Sequence, residues 1–234
     1  MVGNESSSKS NLGQAAPLPL DAERDVLVKA VLNHVPFDGW SMESLRDVAY
    51  EQGMSPDAPL RLFPGGIIDV VDHFTSLADR LMVEDWSSQS GEGQMGVREK
   101  VHTIIMLRFR RWTREKEAVR RALAVYAGSG HVSRVVRATQ RTVDAVWRAA
   151  GDRSHDFNWY TKRMSLAGIY TAVLCYWLDD SSDNDEDTSQ FVQRCLDGLV
   201  QGMRKQQEWQ NRCSETLKTS PFLGVVRSFM PLHR

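Results

Sequence analysis

Long apolar runs are missing from this 234-residue chain: no stretch of about 18 apolar residues occurs, so no spanning helix is expected. Cysteine is scarce. The three present, Cys175, Cys195 and Cys213, are odd in number and far apart, with no CxxC, which reads as reduced thiols in a cytosol-like compartment. Net charge is nearly absent as well, at −1, so any pull toward nucleic acid or anionic membrane must be local. Strand alternation bounded by hairpin turns is not found. Neither is a GxSxG elbow, a Walker loop or a dinucleotide fingerprint. The opening "MVGNESSSKSNLGQAAPLPL" has neither the apolar core of a signal peptide nor the arginines of a transit peptide, and it reads as a disordered arm over 1–20.

What is there is helix. Apolar residues recur at 3.6-residue spacing from Asp21 to about Lys205, which predicts an all-α protein with an ample core. Asp21 stands as the N-cap of a first helix carrying Val26, Ala30 and Val31, closed by Pro36 and Gly39. Ser41 caps a second, which stops at Gly53, and a short third lies within "SPDAPLRLF". A long helix then turns Ile67, Ile68, Val71, Phe74, Leu77, Ala78 and Leu81 inward. The glycine- and serine-rich "SSQSGEGQMG" reads as a linker, followed by helices near 97–112, 114–127, 131–150, 157–179 and 188–205. The expected division is an arm over 1–20, a helix-turn-helix-like unit over 21–63, a larger helical domain over 64–205, a linker over 206–220 and an amphipathic helix over 221–234.

The first three helices around the Gly53 turn, "AVLNHVPFDGWSMESLRDVAYEQGMSPDAPLRLFP", resemble the opening domain of TetR-type regulators. That resemblance implies a repressor reading DNA with its third helix, and hence an alternative function as a one-component transcriptional regulator with a hydrophobic effector. Charge argues against it. Across 41–63, Glu43, Asp47, Glu51 and Asp57 outnumber Arg46 and Arg61, a net −2 where a duplex-facing surface must neutralise phosphates. The tyrosine and lysine with which that family contacts phosphates fall on Leu60 and Gly66, and Pro59 removes a backbone donor beside them. No nucleic-acid partner is expected.

The second half contains "AAGDRSHDFNWYTKRMSLAGIYTAVLCYWLDDSSDNDEDT", which resembles the signature of the ubiquinone-biosynthesis accessory proteins described as the ninth coenzyme Q protein. With "RDVLVKAVLNHVPFDGW" and "EAVRRALAVYAG", the resemblance runs from about Arg24 to Met203. It implies a TetR-like fold and the binding of an isoprenoid quinone intermediate or phospholipid. It further implies assistance to a di-iron hydroxylase, the demethoxyubiquinone hydroxylase, with no catalytic residue or cofactor of its own. A bacterial member is expected, cytoplasmic and peripherally membrane-associated (on the matrix side if mitochondrial). One departure stands out. Where the family tends to carry a tryptophan in "DTW", this chain reads "DTSQF", with Ser189 in its place. That tryptophan belongs to the surface the family uses to meet its hydroxylase, and an exposed aromatic anchor supplies a large share of an interface's energy.

The resemblance therefore places a partner surface on Asn158, Trp159, Tyr160, Arg163, Asp187, Thr188 and Ser189, with Phe191 either compensating or core. The residues themselves also allow a structural cap knot. Asp156 or Ser154 would cap a helix starting near Phe157, with Asp152 adding negative charge near its positive end. Trp159 and Arg163, four apart, share a face on which a guanidinium can lie over the indole.

Apolar stripes taken alone are packed core as readily as ligand pocket; the resemblance turns three of them toward a lipid. They carry Ile104, Ile105 and Met106, then Val143, Val146 and Trp147, then Met164, Leu166, Ile169, Tyr170, Val173 and Leu174. Small Ala167, Gly168 and Ala172 permit close helix approach or leave room for a chain, and Met106 and Met164 adapt to a flexible tail. Val192, Leu196, Leu199 and Met203 form a further stripe, and Trp177 and Leu178 extend the one before it. TetR-like proteins pair through two such C-terminal helices, so a homodimer is expected, with packing inside one chain as the alternative. In the tail, Phe222, Leu223, Val225, Val226, Phe229 and Met230 fall within an arc of roughly 160° behind Pro221. From Arg204 onward six bases face two acids, a net +4, which suits a helix lying on an anionic membrane surface; a helix closing the core is the alternative.

Other patterns lead nowhere. Glu99 and His102 have ExxH spacing, but a di-iron bundle needs a second such pair and two more glutamates, so a solvent-side pair is expected. Asp183, Asp185 and Asp187 imitate a calcium loop, yet Thr188 stands where glycine is required and Arg194 where glutamate is, so no metal is expected. The stretch 98–121, with nine bases against three acids, could take RNA or DNA, but an exposed face or a surface for an acidic partner is the commoner outcome.

Overall fold

The computed structural model describes residues 19–89, 95–128, 130–152 and 157–219, with side chains over 20–89, 95–128, 130–152 and 160–202. Its helices are α1 (Pro19–Val31), α2 (Val35–Asp38), α3 (Met42–Glu51), α4 (Ala58–Leu62), α5 (Ile67–Ser87), α6 (Val97–Arg111), α7 (Lys116–Tyr126), α8 (Val132–Ala149), α9 (Phe157–Asp179) and α10 (Glu186–Thr219). No strand occurs among the described residues. Residues 1–18 of the arm read over 1–20, residues 90–94 of the "SSQSGEGQMG" linker and the tail from Ser220, with the six apolar residues assigned to a membrane surface, lie outside the described residues, as do Ser154 and Asp156.

Local chemistry accounts for most boundaries. Ser41 caps α3, its hydroxyl accepting the Ser44 N–H at 3.0 Å. Gly53 ends α3 in the left-handed region, φ +70°, and lets Met54 N reach Ala49 O at 2.8 Å. Asp21 does not cap α1: the helix starts at Pro19, and Asp21 sits in its first turn, 3.4 Å from Arg24. Pro36 does not merely stop α1; it opens the one-turn α2, where its missing N–H leaves no gap. The span 206–219, read as a linker, is the continuation of α10. It contains no glycine or proline and many straight-chain residues, so its polarity removes a packing face without removing helical preference.

The chain divides into two compact units, Met1–Ala78 with Glu115–Ala138, and Asp79–Arg114 with Thr139–Arg234, rather than at 63/64. Helices α5 and α8 are uninterrupted and each contribute a segment to both. In the first unit, α1, α3 and α4 enclose Leu27, Val28, Val31, Leu45, Val48 and Leu62, all 0% exposed. Burying each such side chain contributes about 1.5–3 kcal/mol. Helix α7 joins this unit through backbone acceptors: Trp40 Nε1 donates to Ala118 O at 3.0 Å, and Arg121 Nη2 to Pro36 O at 2.8 Å.

In the second unit, α6, α9 and α10 pack with the end of α5 and most of α8. Its centre is aromatic: Phe109 stacks on Tyr170 with ring centroids 5.7 Å apart and meets Trp177 at 5.1 Å. Trp86 Nε1 donates to Ala149 O at 3.0 Å, tying α5 to the end of α8.

Candidate functional site

Most of the residues assigned to lipid binding gather inside the second unit. Ile104, Ile105 and Met106 on α6, Val143, Val146 and Trp147 on α8, and Leu166, Tyr170 and Val173 on α9 are all buried. Ile169 and Leu174 are half-buried. Met164 is the correction: it is 70% exposed. At 100° per residue it lies opposite Val173, nine positions on, so a helix that buries Val173 turns Met164 outward. Exposed Gly168 and Ala172 share its side and face away from the interior, while Ala167 is half-buried.

A buried polar cluster that no sequence motif announces lies among these side chains. Asp79, 4% exposed, accepts from Arg108 Nη1 at 2.6 Å, Thr142 Oγ1 at 2.8 Å and Arg141 Nε at 2.9 Å. Arg108, 7% exposed, also donates from Nε to the Tyr170 hydroxyl at 2.9 Å. A buried ion pair persists where further hydrogen bonds satisfy its remaining polar atoms. The signal was available: Arg108 follows Val101, Ile104 and Ile105 at helical spacing, and Asp79 precedes Met82 and Trp86 likewise. A charge at a stripe position is a buried charge, not a solvated one. Buried Arg108 also breaks the uniform exposed basic face read over 98–121.

At the start of α9, Tyr160 is 66% exposed, while the side chains of Asn158 and Trp159 lie outside the described residues. Arg163 is drawn inward, its Nε 2.5 Å from Asp144 and its Nη1 3.8 Å from Asp152. Asp152 does not simply add charge at the helix end; it also holds Lys162 Nζ at 3.0 Å. This ion-pair set ties the end of α8 to the start of α9.

Between α9 and α10, Asn184 and Asp185 both take φ +55°. Buried Asp185 accepts the Thr113 hydroxyl at 2.6 Å, so the acidic run is held by the turn that follows α6 rather than solvated throughout. Asp180 accepts the Ser182 N–H at 2.8 Å and the Thr188 N–H at 2.9 Å, and also the Thr188 hydroxyl. Burial alone would raise its pKa; these hydrogen bonds outweigh burial and hold it down at about 2.

Thr188 and Ser189 are corrected as surface residues, at 0% and 8% exposed, leaving Asp187 exposed beside them. Ser189 faces α6, its carbonyl and hydroxyl oxygens each 3.2 Å from His102 Nε2. His102 is therefore not half of a solvent-side pair. Burial lowers its pKa below 6.5, against the hydrogen bond to the Ser189 carbonyl, which raises it. Phe191 stacks on Tyr176 at 4.6 Å. Among the described residues no group of three His, Cys, Asp or Glu is placed to hold a metal ion. No described helix is long and apolar enough to cross a membrane. In the first unit, Arg61 of the short α4 pairs with Glu23 at 3.1 Å, and Arg24 of α1 donates to Leu62 O at 3.0 Å, so these two bases have partners in their own unit.

Residues 132–202, from α8 into α10, match the COQ9 family. The chain is 29% identical over 202 residues to the Drosophila melanogaster protein named ubiquinone biosynthesis protein COQ9, mitochondrial, covering 85% of this chain and 61% of that one. It is 30% identical over 183 residues to the Homo sapiens protein of the same name, covering 75% and 57%. It thus spans about six tenths of the length of these relatives. A crystal structure of a TetR transcriptional regulator from Nitrosomonas europaea superposes with a TM-score of 0.62 at 22% identity, over 76% of this chain and 98% of that one. The chain is an all-α protein of TetR-like fold that resembles the COQ9 proteins of ubiquinone biosynthesis.

Proposed function

We propose that this protein serves ubiquinone biosynthesis as a non-catalytic lipid-binding accessory. It takes up an isoprenoid quinone intermediate or a phospholipid and presents it to the di-iron demethoxyubiquinone hydroxylase. The observation that carries the reading is the similarity to proteins named for ubiquinone biosynthesis. Its family match covers α8 and α9, where six of the apolar candidates are buried. Withdrawing a long apolar tail from water is driven at roughly 25 cal/mol per Å² of surface buried, so uptake needs no catalytic group. Exposed Tyr160 and Asp187 supply a surface for the hydroxylase, and the tail over 221–234 rests on the membrane from which the lipid is drawn. Two copies pair through α9 and α10.

Native mass spectrometry of the full chain tests the central claim. The expected result is co-purified quinone intermediate or phospholipid at up to one molecule per chain. Protein that is consistently empty, and stays empty after exposure to lipid vesicles, overturns it.

A further inference from the structure

Trp147 sits near the end of α8 at 7% exposure, and its indole Nε1 is buried with no hydrogen-bond partner. Two other buried indoles, those of Trp40 and Trp86, reach backbone carbonyls at 3.0 Å. A buried N–H without an acceptor has given up water and received nothing in exchange, so it calls for a specific explanation.

The surroundings restrict what that acceptor is. Lys162 Nζ stands over the Trp147 ring, 5.7 Å from its centroid, and is itself held by Asp152 Oδ1 at 3.0 Å. A cationic group is repelled here, and an anionic one finds the nearest ammonium already neutralised. One turn back on the same helix face lies Val143, 2% exposed, with Val146 adjacent at 1%. These surroundings suit a neutral oxygen on an otherwise apolar molecule better than a charged group.

Resting on the lipid-binding role proposed above, we infer that Trp147 Nε1 is the polar anchor of the site, donating to a carbonyl oxygen of a hydrophobic ligand. A quinone ring and a glyceride ester both present that chemistry. The apolar candidates around it then supply affinity for the chain, and the indole supplies the preference for an oxygen-bearing end.

Trp147→Phe keeps an aromatic ring and removes the donor. Three probes separate the possibilities in calorimetric titrations of the full chain: decylubiquinone, dioctanoyl phosphatidylcholine below its micelle concentration, and farnesene, an isoprenoid hydrocarbon with no oxygen. The expected result is a five- to ten-fold loss of affinity for the oxygen-bearing probe that binds, with farnesene unchanged. Loss for that probe alone identifies the source as quinone or ester. Equal loss for every probe, or loss for none, overturns the anchor while leaving lipid binding intact. Failure of all three to bind the unaltered chain removes both. Should the variant not fold, the indole ¹H–¹⁵N resonance of Trp147 in the unaltered chain gives the answer. It moves downfield with the oxygen-bearing probe and not with farnesene if the anchor is real, and responds alike to both if it is not.

Discussion

Asp79 gathers donors from α6 and α8, and its buried carboxylate is the charge set against Arg108. In Asp79→Ala, Arg108 keeps its charge at 7% exposure and retains the Tyr170 hydroxyl, which carries no compensating charge. The expected cost is about 3–5 kcal/mol, read as a lowered urea midpoint at unchanged slope. Asp85→Ala provides the contrast. It breaks the pair with Arg111, whose side chains are 38% and 29% exposed, and should cost less than about 1 kcal/mol. Equal losses from the two substitutions would contradict the claim that burial sets the difference. The inward side of Tyr170 was legible in the sequence, but the ion pair beside it was not. Charged side chains are ordinarily solvated, and only the positions of Asp79 and Arg108 on apolar stripes betray them. Thr188 and Ser189 were misplaced for a related reason: next to an acidic run they look exposed, yet one satisfies Asp180 and the other faces His102.

The start of α10 depends on a residue outside it. Asp180 reaches across the intervening turn to the Thr188 N–H, doing from eight positions back what an N-cap does from two or three. Asp180→Ala should cost about 1 kcal/mol at neutral pH. The sign of the pH effect follows from the depressed folded value. A carboxylate held at about 2, against 3.8, stabilises the fold above about pH 4 and loses that contribution as pH falls toward 2. Urea titrations at pH 7 and near pH 2 should therefore show a difference between variant and parent that shrinks on acidification; an undiminished difference would rule out the ionised cap. Helix starts and stops such as Ser41 and Gly53 were legible because they are settled within a few residues. The far end of α10 was not, because a polar helix without glycine or proline carries no stop signal. Nor was the face of Met164: α9 is apolar on both sides, so its periodicity does not choose which is buried.

That double-sided character bears on the whole molecule. While α9 buries Leu166, Tyr170, Val173 and Trp177, its opposite side exposes Tyr160, Met164, Gly168, Ala172 and Tyr176 at four-residue spacing. A helix apolar all round is normally covered all round, and large side chains flanking small ones let two helix backbones approach closely. A second copy presenting the same stripe about a two-fold axis is the occupant consistent with the proposed homodimer. Gly168 makes the test clean. A Cβ built there meets nothing within 4 Å, so a larger residue is tolerated by a single chain and improves helix propensity by up to about 1 kcal/mol. Gly168→Arg should therefore leave the monomer folded while placing a charge in the pairing surface. Light scattering coupled to size exclusion at tens of micromolar should give twice the chain mass for the parent and one chain mass for the variant. A monomeric parent, or a variant that still pairs, would mean that this face of α9 meets something other than its own copy.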